Sequence, residues 1–212
     1  MQQQALKRIA VLISGRGSNC MALIRAVRDG RLSGCEIAVV VSNIPEAPGV
    51  EAARAFGVPV VTLEGRGREQ AEHETAVTAL LRKFRVDLIC LAGYMRILSA
   101  SFVREWQGRM LNIHPSLLPA FPGLHAQRKA LQYGVSVAGC TVHFVDESVD
   151  GGVIILQRTA EVLPEDTEET LSERILEQEH LAYVEALQRV LSGEYEARGR
   201  RYLPIAVEAA TS

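Results

Sequence analysis

RIAVLISGRGSNCMALIRAVRD, residues 8–29, decides the architecture. Residues 8–14 are apolar on both faces and read as a strand buried from two sides. GRGSN at 15–19 makes a tight turn. Residues 20–29 then bring Met21, Ile24 and Val27 round at helical spacing. Moving outward, EIAVVVS (36–42) is a second strand, rich in β-branched residues. Residues 48–56 look helical, 58–62 form a short third strand, 70–84 a helix, and VDLICLA (86–92) a fourth strand. Strand and helix alternate throughout, which is the pattern of a parallel sheet with helices on both faces.

The second half reads differently. Residues 102–107 are helical and 109–113 a strand. HPSLLPAFPG (114–123) holds three prolines in ten residues, which makes it a stiff, irregular loop. Residues 125–133 form a helix, and AGCTVHFV (138–145) and residues 154–162 read as paired antiparallel strands. Thr167 caps a long last helix over 168–191, without a capping-box acid three residues on. The tail after Gly193 reads as a short edge segment. The expected fold class is therefore α/β, Rossmann-like: a mostly parallel twisted sheet with antiparallel strands towards the C-terminus.

At 212 residues the chain should bury roughly 70% of its unfolded surface, so it needs neither metal nor disulfide to hold a core. Twenty-three basic against 25 acidic residues give a net charge of −2, which argues against general nucleic-acid binding. Residues 1–14 hold no apolar run long enough for a signal peptide, and nothing reads as a bilayer-spanning stretch. Cys20, Cys35, Cys90 and Cys140 form no CxxC pair, which fits a reduced, cytoplasmic compartment.

The turn after the first strand offers backbone N–H groups at a helix start, where an anion is favoured, and Ser18 and Asn19 add donors. The same residues would also serve as a plain helix entry. A dinucleotide fingerprint would need glycine where Cys20 stands and an acid where Ser42 and Asn43 stand, so a single phosphate fits better than a pyrophosphate. In Asn112-Ile113-His114 the outer two side chains project together from a strand. An amide can hold an oxyanion and an imidazole can carry a proton, although both types are common at loop entries. Asp150 before Gly151 and Gly152 could stabilise an imidazolium or simply make a hairpin turn. His114, His125, His143 and Asp150 lack the spacing of a helical metal pair, and no metal is expected. Trp106 reads as packing, and Glu177, Glu179 and His180 read as a solvated helix face.

VLISGRGSN (11–19), DLICLAGYMRILS (87–99), RMLNIHPSLLPAFPGLHA (109–126), GCTVHFVDESVDGGVIILQ (139–157) and LSERILEQEH (171–180) together resemble the folate-dependent glycinamide ribonucleotide formyltransferases. The likeness runs in order from about residue 8 to about residue 190. LNIHPSLLP with a downstream VDGG marks the wider formyltetrahydrofolate-using group, and the early GSN turn selects this member. The resemblance implies one domain over 1–212, with a phosphate-binding half at about 8–100 and a catalytic, folate-binding half at about 101–195.

It further implies that Asn112, His114 and Asp150 are catalytic, and that Gly17, Ser18, Asn19 and Glu179 bind the phosphorylated substrate. Arg68, Met95, Arg96, Ile97, Leu98, Asn112, Asp146 and Asp150 would line the folate cleft. Arg68 is the nearest match to the family's folate-binding arginine, with a longer spacing to Asp87. The implied reaction moves a formyl group from 10-formyltetrahydrofolate, a co-substrate, to the amine of glycinamide ribonucleotide in purine biosynthesis. Asn112 and protonated His114 would hold the oxyanion, with Asp150 raising the His114 pKa. Formyl-methionyl-tRNA-type transferases usually add a C-terminal domain and formyltetrahydrofolate hydrolases an N-terminal one, for which residues 1–7 leave no room. The hydrolase and a non-catalytic folate-binding module are the competing readings. The expected partners are small molecules, not nucleic acid or membrane, and an exposed edge or helix could support a homodimer.

Overall fold

A computed structural model describes residues 6–206; residues 1–5 and 207–212 of the expected 1–212 domain lie outside the described residues. The elements run β1 (Lys7–Ile13), α1 (Ser18–Arg28), β2 (Cys35–Ser42), α2 (Pro48–Ala55), β3 (Val60–Thr62), α3 (Gln70–Lys83), β4 (Leu88–Leu91), α4 (Ala100–Glu105), β5 (Met110–His114), α5 (Ala126–Tyr133), β6 (Val137–Phe144), β7 (Ile154–Glu161), α6 (Glu168–Ser192), β8 (Tyr195–Arg198) and β9 (Arg201–Pro204). All strands join one sheet in the order β3-β2-β1-β4-β5-β6-β7-β9-β8. The first five are parallel, β6 runs antiparallel to both β5 and β7, β7 pairs in parallel with β9, and β8 and β9 form a hairpin at the edge. The expected fold class stands, and the edge segment after Gly193 resolves into that hairpin.

β1 explains why the sheet is covered on both sides. Ile9, Val11 and Ile13 pack into one apolar cluster with α1 and α6, while Ala10 and Leu12 enter another with Val77 and Leu81 of α3 and Phe102 of α4. A strand alternates its side chains between faces, so an all-apolar strand needs a helix layer on each. All four cysteines are buried, and burial pushes the Cys20, Cys90 and Cys140 thiols up to about 12. They act as core residues. Trp106 is buried too, with the Arg109 guanidinium over its ring.

Two sequence readings change. The capping box on α6 is complete without an acid: Thr170 N–H donates to the Thr167 hydroxyl, and the Thr170 hydroxyl accepts from Thr167 N–H. A hydroxyl both donates and accepts, so it can do the work of the usual glutamate. The α6 acids are not one solvated face either. Glu179 lies four residues after Ile175 and four before Tyr183, inside the buried stripe. Among the described residues no helix is long and apolar enough to cross a membrane.

Candidate active site

Strand order places the site. β1, β4 and β5 are adjacent and parallel, so the segments that follow them emerge at one edge of the sheet. Those segments are the GRGSN turn, residues 93–99 and the proline-rich loop. The chain leaves β1 for β2 on one side and returns at β4 on the other, which opens a crevice at that edge. Ser14 ties its walls together: its hydroxyl donates to Asn43 Oδ1 at 2.5 Å and accepts from Met95 N–H at 2.8 Å.

In the turn, Gly17 takes φ +71° and stands as the N-cap of α1. It offers no side-chain cap, and the first turn of α1 holds no acid, so the leading N–H groups remain available to an anion. Gly49, at the start of α2, donates its N–H to Gly15 O at 3.1 Å, and a Cβ there would lie 2.9 Å from that oxygen. Sequence reading missed this glycine; its only signal is a glycine in the first turn of a short helix. Asn19 turns inward and donates through Nδ2 to Glu179 Oε2 at 2.7 Å, while Asn19 Oδ1 is buried without a partner. The structure thus joins two residues 160 positions apart. Burial pushes the Glu179 carboxyl up, and the Asn19 amide offsets this only in part.

Asn112 and His114 project together from β5. In the antiparallel pairing with β6, Asn112 faces His143, and its Nδ2 lies 3.3 Å from His143 Nε2. His143 Nδ1 lies 2.8 Å from the Phe144 carbonyl, a contact that only an Nδ1–H can make. In that tautomer Nε2 accepts from Asn112, which fixes the amide with its NH₂ towards the histidine and one hydrogen spare. His143 was considered in the sequence only as an improbable ligand. Its place beside Asn112 depends on strand register, which no local pattern reports.

The proline-rich loop folds back over β5. Thr141 accepts from Leu118 N–H at 3.0 Å and donates to Ser116 O at 2.7 Å, and Gln157 donates to Leu118 O at 2.9 Å. The loop delivers the Phe121 carbonyl to His114 Nε2 at 2.9 Å and Gly123 N–H to Asp150 Oδ2 at 2.8 Å. Asp150 reaches in from the β6–β7 connection with φ +52°. Its Oδ2 lies 3.3 Å from His114 Nδ1, and its Oδ1 lies 3.7 Å from His143 Nε2. Both glycines after it serve close packing: a Cβ on Gly152 would overlap the Phe144 carbonyl oxygen, and one on Gly151 the Ser148 hydroxyl.

Burial raises the Asp150 carboxyl, but the neighbouring His143 ring, the Gly123 N–H and the charge of His114 outweigh it and bring it down to about 2. For His114 the balance goes the other way from the expectation. Asp150 and the Phe121 carbonyl do raise its pKa, yet burial lowers it more, and the net shift is downward. At neutral pH the resting ring is therefore neutral rather than protonated. A neutral ring carries one proton between two oxygen partners, so one nitrogen lone pair faces an oxygen until a proton arrives.

Met95 and Ile97 are 72% and 83% exposed, unusual for apolar side chains, while Leu98 is half-buried. Arg96 is folded onto the Gly65 carbonyl at 2.9 Å. Arg68 is exposed just before α3; its charge and that of Arg96 both act on His73, after burial, in lowering that pKa. Asp146 is turned into its own loop, accepting from Ser148 N–H and hydroxyl at 2.9 and 2.6 Å. Of the expected site residues, Asn112, His114 and Asp150 form one cluster and Asn19 and Glu179 another. Arg68 and Asp146 share no side-chain hydrogen bond or ion pair with either. Among the described residues no group of three or more His, Cys, Asp or Glu side chains could hold a metal ion.

The chain is 49% identical over 195 residues to the trifunctional purine biosynthetic protein adenosine-3 of Drosophila melanogaster, which covers 91% of this chain and 14% of that protein. It thus spans about a seventh of the length of that curated relative. It is 41% identical over 187 residues to the phosphoribosylglycinamide formyltransferase of Bacillus subtilis, covering 88% of this chain and 95% of that one. Among solved structures, glycinamide ribonucleotide transformylase 1 from Symbiobacterium toebii superposes with a TM-score of 0.92 at 45% identity, over 97% of this chain and 96% of that one. Residues 7–187, from the first strand through most of the last helix, match the formyl transferase family, and the chain belongs to it.

Proposed function

We propose that the chain transfers the formyl group of 10-formyltetrahydrofolate to the primary amine of glycinamide ribonucleotide, a step of purine biosynthesis. The observation that carries this reading is the meeting of Asn112, His114 and Asp150 beside a crevice whose far wall is an anion-ready helix start. The amine nitrogen attacks the formyl carbon, a C–N bond forms, and the carbonyl electron pair moves to oxygen. The spare Asn112 amide hydrogen is placed to hold that oxyanion, and removing one such donor commonly costs about 100- to 1,000-fold in rate. Neutral His114 takes the proton that the attacking nitrogen must lose, and Asp150 stabilises the imidazolium formed. The proton passes on to N10, the C–N10 bond breaks, and formylglycinamide ribonucleotide and tetrahydrofolate leave. No metal and no covalent enzyme intermediate enter these steps.

Gly17, Ser18 and Asn19 would take the substrate phosphate, with Glu179 towards its ribose. Exposed Met95 and Ile97, with Arg96, Leu98, Arg68, Asp146 and Asp150, would receive the folate. One domain over residues 1–212 would contain both sites, the phosphate site in its first half and the reacting groups in its second. The partners would be these two small molecules, in the cytoplasm. The test is an absorbance assay of folate deformylation with the amine substrate present and absent. Turnover that depends on the amine supports transfer; equal turnover in its absence would make the protein a hydrolase instead.

A further inference from the structure

The family match ends at residue 187, and the hairpin of β8 and β9 lies beyond it. This hairpin meets the sheet where the catalytic carboxylate is hung. β6 and β7 slip register between Val142 and His143, so that Val142 faces Leu156 but His143 faces Ile154. Such a bulge weakens the ladder locally and re-aims side chains. At the bulge, Ile154 N–H donates to Arg200 O at 3.0 Å, and Ile154 pairs with Arg201 of β9. One residue before the turn, Phe144 bridges its two legs: its N–H donates to Val153 O at 2.9 Å, and its carbonyl accepts from His143 Nδ1 at 2.8 Å. The Tyr202 ring packs edge-on against the Phe144 ring, with centroids 5.4 Å apart, and Tyr195 stacks on Tyr202 at 5.7 Å.

We propose that the C-terminal hairpin is a positioning element for the Asp150 turn, acting through Tyr202 packed on Phe144. The ladder alone leaves the start of β7 irregular, and the hairpin takes up its free N–H and braces the residue that clamps both legs. Phe144 also fixes the His143 tautomer, so a shift there would loosen Asp150 and misdirect the Asn112 amide together. The contact is made by the Tyr202 ring, so phenylalanine should replace tyrosine.

The inference rests on the formyl-transfer reading for its kinetic readout. In the full chain, Tyr202→Ala should lower kcat by about tenfold or more while the Michaelis constant for the amine substrate changes by less than about twofold, because small misplacements of reacting groups cost rate rather than affinity. Tyr202→Phe should stay within about twofold of the parent in kcat. Hydrogen exchange of the amides of residues 144–154 should accelerate in Tyr202→Ala and not in Tyr202→Phe. A Tyr202→Ala protein with parental kcat, a Tyr202→Phe protein as impaired as the alanine variant, or a Tyr202→Ala protein unfolded at assay temperature would each overturn the proposal. A parent with no amine-dependent turnover would instead sink formyl transfer, and the exchange rates would still decide whether the hairpin holds the turn.

Discussion

Nδ1 of His114 stands 3.3 Å from Oδ2 of Asp150, while the other ring nitrogen of His114 stands 2.9 Å from the Phe121 carbonyl. Both neighbours are acceptors, and only an imidazolium can satisfy both. Burial nevertheless keeps the resting ring neutral by lowering its pKa from the ordinary 6.5. The site therefore holds a base whose protonation relieves an oxygen–nitrogen repulsion, next to a carboxylate that stays ionised down to about pH 2.

A pH dependence with a definite sign follows. Folding favours neutral His114, so between pH 6.5 and its lower folded value the unfolded chain binds more protons. The stability contribution of this group is present above that window and is lost as pH falls through it. The acid limb of kcat/KM should likewise fall below 6.5 if neutral His114 is the base. Asp150→Asn removes the charge that holds the ring's pKa up, so the limb of its residual activity should move lower still. Asp150→Asn and His114→Ala should each lower kcat on the order of 100- to 10,000-fold, with a cooperative thermal transition retained. Near-parental turnover in either variant would contradict the proton route.

Ser18 opens α1 directly after Gly17, where an anion would dock. Ser18→Ala should raise the Michaelis constant for the phosphorylated substrate several-fold and leave kcat within about twofold, since it removes binding shared by ground and transition states. Measured against a dephosphorylated analogue, the same variant should change nothing. Equal effects on both substrates would detach the turn from phosphate recognition.

Glu179 separates stability from function. Its carboxyl has a raised pKa through burial, so the native state keeps a proton that the unfolded chain has released. Stability from this group is present below the ordinary carboxyl range and declines as pH rises through the folded value. Glu179→Gln should therefore raise the melting temperature at neutral pH, with the new side-chain oxygen still accepting from Asn19 Nδ2. It should also raise the Michaelis constant for the phosphorylated substrate, the usual exchange where a destabilising buried group is kept for binding. A melting temperature that drops would show that the ionised carboxylate stabilises the fold.

The sequence makes the strands of the first half legible because burial on both faces leaves unbroken apolar runs, as in residues 9–13. Asn112 and His114 are legible for a similarly local reason, since two residues apart on a strand means one direction. Glu179 shows the limit. Its spacing from Ile175 and Tyr183 puts it on the buried stripe of α6, yet neighbouring Glu177 and His180 disguise it as part of a charged face. His143 and Gly49 belong to no local pattern at all. One owes its role to the register of β5 on β6, the other to the docking of α2 onto the first turn, and both are products of tertiary packing.

Gly151 and Gly152 look equivalent in sequence, but the structure separates them. A Cβ on Gly152 would run into the backbone carbonyl of Phe144, which is already engaged by His143 Nδ1 and cannot retreat without moving the strand. A Cβ on Gly151 would meet the Ser148 side chain, first its hydroxyl, which can rotate away at the loss of its bond to Asp146, and then its Cβ at 2.8 Å, on an exposed loop. Gly152→Ala should therefore lower both the melting temperature and kcat, by about 1–3 kcal/mol in stability as for other overpacked sites. Gly151→Ala should cost less, because the obstructing side chain sits on an exposed loop, and adding Ser148→Ala to it should restore part of what was lost, because the second change removes the nearer of the two obstructing atoms and leaves the Cβ at 2.8 Å. Thermal denaturation and steady-state turnover on the three variants check this. If Gly151→Ala proved as damaging as Gly152→Ala even with Ser148→Ala present, the first glycine would be needed for its own backbone geometry rather than for the space beside it.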